Sequence, residues 1–223
     1  MEIKAIDKAL ELLKKGLLPE LDELLNYERG LEILKSKSTK PNLLKAVKKV
    51  LDDKNLLEAR PNLRNIQIDK NDMQFICNGY LFVRWHTHKE ELDCLPQLEK
   101  EHCINLSCFI RKPFELKEFK ITDDEKLVIN NIDKYIKINK QKGKRTAVKL
   151  FNEYWDAELI KMLFDIIGYN QDYIYKETDS ATSSIHIFNS DSNSMILPLR
   201  IIGEDSQEID TMYNDFVKQL KNN

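Results

Sequence analysis

Residues 60–86 read RPNLRNIQIDKNDMQFICNGYLFVRWH, and the fold class turns on how this run is understood. Apolar and polar residues alternate over Leu63 to Asp69, Met73 to Cys77 and Tyr80 to His86, the period of half-buried strands. The connections Lys70-Asn71-Asp72 and Asn78-Gly79 are too short for a crossover, so the three strands must run antiparallel, and Asn-Gly is the strongest two-residue hairpin signal. On the N-terminal side, Pro41 opens a helix whose apolar set is Leu43, Leu44, Val47, Val50 and Leu51, and the short alternating stretch from Leu31 to Lys35 precedes it. The unit is therefore strand, helix, three-stranded meander.

The same order recurs toward the C-terminus, and internal repetition bears on the whole architecture. Ala147 to Phe151 is a strand candidate, and Tyr154, Leu159, Ile160, Leu163, Phe164 and Ile167 mark a helix over 152–167 closed by Gly168. Tyr173 to Lys176, Ser184 to Phe188 and Met195 to Ile202 complete a second meander. Between the copies, Leu116 to Ile121 alternates and a helix starts at Thr122 with Asp123, Asp124 and Glu125 in its first turn. At the ends, Ile3, Ile6, Leu10, Leu13 and Leu17, then Leu21, Leu24 and Leu25, predict a helical hairpin over 1–28, and Ile209 to Leu220 predicts a last amphipathic helix. The expected organisation is an α+β fold: a helical segment 1–28, a domain over 29–203 made of two strand-helix-meander repeats, and a C-terminal helix within 204–223.

Composition bounds the function. The 223 residues carry 35 Lys+Arg against 37 Asp+Glu and 42% hydrophobics, which excludes disordered and fibrous classes. No apolar run approaches the ~18 residues of a membrane span, and Met1-Glu2-Ile3-Lys4 opens an amphipathic segment in place of a signal peptide, so a cytoplasmic location with reduced thiols is expected. Charge is uneven: Lys134, Lys137, Lys140, Lys142, Lys144, Arg145 and Lys149 form a run free of acids, whereas Glu177 to Asp215 holds eight acids and only Arg200 as a base. Such a run is either a solvated helix end or a phosphate-contacting patch.

Particular residues carry a family resemblance. Phe151-Asn152-Glu153-Tyr154-Trp155, Ser183-Ser184-Ile185-His186-Ile187 and Leu197-Pro198-Leu199-Arg200-Ile201 resemble, in order, the helix start F-N-x-x-Y-L, the Ser-rich hairpin and the closing Met-Pro-Met-Arg-Leu in the final repeat of the bacterial DNA sliding clamp, the beta subunit of the replicative polymerase. Arg60-Pro61-Asn62-Leu63 and Cys77-Asn78-Gly79-Tyr80-Leu81-Phe82 resemble that family's Arg-Pro-x-Leu and its hairpin A-T-D-G-(H/Y)-R-L. Cys77-Asn78 replaces Thr-Asp and Leu81 replaces the Arg, and a clamp has three such domains per chain where this one has room for one.

The resemblance implies a non-enzymatic DNA-replication factor, a processivity device that tethers or docks replication proteins. It implies a groove for a short apolar peptide: Ser184, Met195, Leu197, Pro198, Leu199 and Arg200 match one half, and Gly79, Tyr80 and Phe82 match the half that a neighbouring domain supplies. The implied partners are a second copy of this chain or another clamp-like chain, a polymerase or other replication protein with a clamp-binding peptide, and duplex DNA bound without sequence preference through Lys45, Lys48, Lys49, Lys140, Lys142, Lys144 and Arg145. Its Lys, Asn and Ile content suits a phage or mobile element, and the alternative is a clamp-fold regulatory protein that binds a host or phage protein and never encircles DNA.

A competing chemistry comes from Cys77, Cys94, Cys103, Cys108, His86, His88 and His102, clustered within 32 residues. Thiolates and imidazoles suit zinc, but without a C-x-x-C pair no metal and no cofactor is expected. Signatures of hydrolases, P-loops, zincins and dinucleotide folds are absent, so no catalytic residue is assigned.

Overall fold

A computed structural model describes residues 43–52, 61–98, 103, 115–140, 146–177, 184–201 and 203–222. The helical hairpin expected over 1–28, the strand expected over 31–35, and Lys142, Lys144, Arg145, His102 and Cys108 lie outside the described residues. The chain is mixed α+β and divides into two compact units, Met1–Gly79 with Arg84–Leu106, and Tyr80–Val83 with Ser107–Asn223.

In the first unit, helix α1 (Leu43–Leu51) forms on the predicted apolar set, burying Leu44, Val47, Val50 and Leu51 against the strand β2 (Gln74–Cys77). Strand β1 (Ile66–Ile68) pairs antiparallel with β2, with Gln67 facing Phe75 and Ile68 facing Gln74. Strand β3 (Leu81–Trp85), whose residues Leu81–Val83 belong to the second unit, follows the Asn78-Gly79 turn, and Gly79 adopts φ 92°, a conformation that only glycine takes without steric cost. One pairing is invisible in the sequence pattern: the two-residue strand β4 (Gln97–Leu98) runs parallel to β1, with Ile66 opposite Gln97. Two residues are too few to show a period.

The second unit begins with β5 (Lys117–Lys120), then α2 (Asp123–Asn130) and α3 (Ile132–Asn139). Thr122 caps α2 as expected: its Oγ1 accepts the Glu125 N–H while the Glu125 carboxylate accepts the Thr122 N–H, so two otherwise orphaned donors are satisfied. Next come β6 (Ala147–Leu150), β7 (Glu153–Asp156) and α4 (Ala157–Ile167). The meander β8 (Tyr173–Lys176), β9 (Ile185–Phe188) and β10 (Ser192–Ile196) precedes the final helix α5 (Glu204–Lys221). Within this unit the strands lie in the order β3-β10-β9-β8-β5, antiparallel wherever β9 meets β8 and β10 and where β5 meets β8. Helix α4 buries Leu159, Ile160, Met162, Leu163 and Phe164, with β10 among its contacts, and ends where Gly168 (φ 87°) returns its N–H to the Phe164 carbonyl.

Two expectations are corrected. The helix expected over 152–167 starts only at Ala157, because Glu153–Asp156 is a strand that pairs with β6 in a separate two-stranded sheet. Phe151 and Asn152 both sit at positive φ (55° and 63°), which turns the chain back in a two-residue hairpin, and Asp156 caps the helix through the Glu158 and Leu159 N–H groups. The closing strand expected over Met195 to Ile202 instead spans Ser192–Ile196 and gives way to irregular backbone at Leu197, beside Pro198, whose ring nitrogen has no proton to lend a ladder.

Candidate functional site

Irregular backbone needs partners as much as a strand does. The Leu197 N–H donates to the Tyr80 carbonyl at 2.9 Å and the Leu199 N–H to the Tyr154 carbonyl at 2.8 Å, so the segment past β10 is pinned on both sides with Pro198 between. Tyr154 is itself fixed by its hydroxyl on Asp210 of α5 at 3.0 Å. The side chains that result are graded. Met195 and Phe82 are buried, Leu197, Pro198 and Leu199 are half-buried, and Tyr80 and Arg200 are exposed. This leaves a stepped apolar edge with a guanidinium at one end. Met195 and Phe82 are core residues, which leaves Tyr80 and Leu197 through Arg200 as the accessible part of that edge.

Ser184 directly precedes β9, next to Ile185, which faces Ile196. Its Oγ lies 3.0 Å from His186 Nε2, and the buried His186 ring stacks on Phe188 with centroids 6.2 Å apart and planes 9° apart. Gly79 belongs to the first unit by the chain division, and Tyr80 to the second. The resemblance assigned the two halves of the groove to different domains; here Tyr80 and Leu197 meet by a backbone hydrogen bond inside one unit.

The cationic residues are less uniform than their spacing. Lys45 and Lys49 are exposed on α1 and Lys48 is half-buried there, whereas Lys140 lies in the other unit with its Nζ 3.4 Å from Glu158. Lys149 holds Asp210 at 2.8 Å; the shared hydrogen bond raises the ammonium pKa and lowers that of the carboxyl, fixing the pair in its charged form. Lys161 of α4 lies between Asp165 at 2.7 Å and Asp133 at 3.2 Å. Lys140, Lys149 and Lys161 are thus each paired with a carboxylate.

A second feature escaped the sequence reading: an open cavity of about 360 Å³ between the first turn of α2 and the Phe151-Asn152 turn, with Lys149 and Tyr213 on its walls. Glu125 does double duty there, accepting the Phe151 N–H at 2.6 Å with the oxygen not used for Thr122. The Phe151 carbonyl accepts from Lys176 Nζ at 2.7 Å, and the same ammonium holds Glu153 at 2.7 Å. Both polar ends of a strained residue are thereby clamped by charge. Burial, with the nearby Glu125 and Asp124 carboxylates, pushes the Tyr213 phenol up to about 12. Among the described residues no His, Cys, Asp and Glu converge as a metal site; Cys77 Sγ accepts the Gly79 N–H at 3.4 Å, and burial raises the Cys94 thiol above its ordinary pKa, which makes it a poor nucleophile.

No helix among the described residues is long and apolar enough to cross a membrane. Comparison with protein-family models, with curated proteins and with solved structures returned no match.

Proposed function

We propose that this chain is a non-enzymatic docking protein of the sliding-clamp type, which holds a short apolar peptide of a replication protein along Tyr80 and Leu197 to Arg200. The carrying observation is the hydrogen bond from the Leu197 N–H to the Tyr80 carbonyl, which supports a groove assembled within one chain. An incoming extended segment gains affinity by burying a few aliphatic or aromatic side chains against Leu197, Pro198 and Leu199, and Arg200 sets direction by pairing with a carboxylate. The clamp-fold regulator that leaves DNA alone is the second reading. It is favoured by the pairing of Lys140 with Glu158 and of Lys149 with Asp210, which takes two cations out of the basic run.

The test is a backbone NMR titration of the whole chain with six-residue peptides carrying two leucines, a phenylalanine and a carboxylate. Shifts should centre on Tyr80 and residues 197–200, and Tyr80→Ala and Arg200→Glu should each weaken binding about tenfold, the scale of a minor anchor. Shifts that avoid both segments defeat the docking function. Duplex DNA titrated against salt separates the two readings: a phosphate-tethering chain loses about 0.9 in slope per lysine contact removed among Lys45, Lys48, Lys49 and Lys140, and a regulator shows no slope to lose.

A further inference from the structure

Among the described residues the sheet of the second unit ends on β5, and all four residues of that strand are exposed. On its inner edge Lys117 faces Lys176, Glu118 faces Tyr175, Phe119 faces Ile174 and Lys120 faces Tyr173. The next residue, Ile121, donates its N–H to the Asp172 carbonyl at 2.9 Å, which sets the alternation of the whole strand. Lys117, Phe119 and Ile121 point their peptide groups at β8, while Glu118 and Lys120 point theirs at the outer edge.

We propose that this outer edge pairs antiparallel with the same edge of a second copy of the chain. A two-fold axis between two identical antiparallel strands must pass where a residue meets its own mate, which leaves few registers. Centring on Lys117, Glu118 or Lys120 sets like charges face to face, a destabilising arrangement. Centring on Phe119 brings ring to ring and sets Glu118 against the partner's Lys120 twice. The backbone agrees with that choice. Glu118 and Lys120 present the outward hydrogen-bonding groups, so both charged couples are hydrogen-bonded pairs, and Phe119 falls on the non-hydrogen-bonded position where side chains come closest.

The side chains are ready for it. Phe119 is 38% exposed, with Lys117 Nζ 5.3 Å from its ring centroid. Glu118 accepts the Tyr175 hydroxyl at 2.8 Å through Oε2, which leaves Oε1 for the partner's Lys120. Edge lysines ordinarily discourage pairing. In Lys-Glu-Phe-Lys they discourage the neighbouring registers and favour one. This interface goes beyond the docking function and does not rest on it.

Sedimentation of the full chain across concentration should show a monomer–dimer equilibrium, weak because a four-residue edge is short of a standard interface. Lys120→Glu and Glu118→Lys should each weaken self-association roughly tenfold, since either change turns both charged couples repulsive. An equimolar mixture of the two variants should associate as strongly as the unaltered chain, because across the axis every couple is again opposite in charge. A monomer up to ~1 mM, a concentration at which a millimolar dissociation constant already places about half of the chain in dimers, overturns the proposal. So does a dimer unmoved by either single change, or a mixture no stronger than its components. The mixture also covers the case of poor folding, because two misfolded chains do not rescue one another by charge.

Discussion

The turn between β1 and β2 and the turn between β6 and β7 both reverse the chain with residues at positive φ, and both are secured by a carboxylate. In the first, Asp72 takes φ 61° and the carboxylate belongs to the turn itself: Asp69 accepts the Asn71 N–H at 2.8 Å and the Met73 N–H at 2.9 Å on one oxygen, and Arg84 Nε at 2.7 Å on the other. In the second, Phe151 and Asn152 take the left-handed conformation, and the groups that hold them come from far along the chain, Glu125 in α2 and Lys176 in β8. A turn that carries its own acceptor is specified by a handful of neighbouring residues. One that borrows its acceptor depends on the tertiary structure being in place, since an aromatic residue does not choose φ 55° unaided.

The largest effect that distinguishes the two turns is expected at Asp69. Its side chain is 4% exposed, and Asp69→Ala leaves two amides and the Arg84 guanidinium without their acceptor, a loss of about 3 kcal/mol. Denaturant unfolding measures it, and a loss under about 1 kcal/mol would show that the hub matters little. The same residue gives a pH dependence of known sign. Burial alone would raise the Asp69 carboxyl, yet the hydrogen bonds from Met73, Arg84 and Asn71 outweigh it and hold the pKa below 3.8. A carboxyl with a lowered folded pKa contributes stability that is complete above its unfolded value and disappears as pH falls through the folded one. Amide exchange at Asn71 and Met73 should therefore stay slow down to about pH 4, near the ordinary carboxyl value, and accelerate below it. Protection that declines between pH 7 and 5 would point to another group.

Lys176 should come next. It is buried, and Lys176→Met keeps the aliphatic length while stripping the Phe151 carbonyl and the Glu153 carboxylate of their cation, for about 2 kcal/mol. Glu153 already has one carboxylate oxygen buried without a hydrogen bond, so the double change Lys176→Met with Glu153→Gln should recover part of that loss. Strict additivity in the double-mutant cycle is the result that would sink this account of the second turn.

Legibility follows the same division. Local signals were sufficient for α1, for the order of the three strands after Arg60-Pro61, although Leu63 falls in a 3-10 turn over Pro61–Arg64 and β1 begins only at Ile66, for the helix start at Thr122 and for the stop at Gly168. Each depends on residues within one turn or one period of one another. Phe151-Asn152 was missed because Tyr154, Leu159 and Leu163 fit a helical period, and the counter-signal was Asn152 alone, a residue tolerant of positive φ. Of the candidate site, the apolar closing segment could be read from its residues. Its bond to Tyr80 could not, since nothing in a sequence reports which distant carbonyl an irregular N–H will find.

The smallest expected effect is the one on which the two turns should agree. Asp72 and Asn152 are both exposed and both at positive φ, 61° and 63°, so whatever supports the turn around them, their own cost is local. Replacing either with Ala removes the short polar side chain that tolerates this conformation and should cost about 1 kcal/mol. Replacing either with Gly relieves the steric cost but frees the unfolded chain, and the two terms nearly cancel to within about 0.5 kcal/mol. Thermal unfolding of the four variants tests the symmetry. Equal Ala losses with near-neutral Gly changes mean that the turns differ in what anchors them and not in the strain they carry. If Asn152→Ala costs far more than Asp72→Ala, then Glu125 and Lys176 hold the hairpin partly through the conformation of Asn152, and the borrowed anchors reach one residue further than the hydrogen bonds to Phe151.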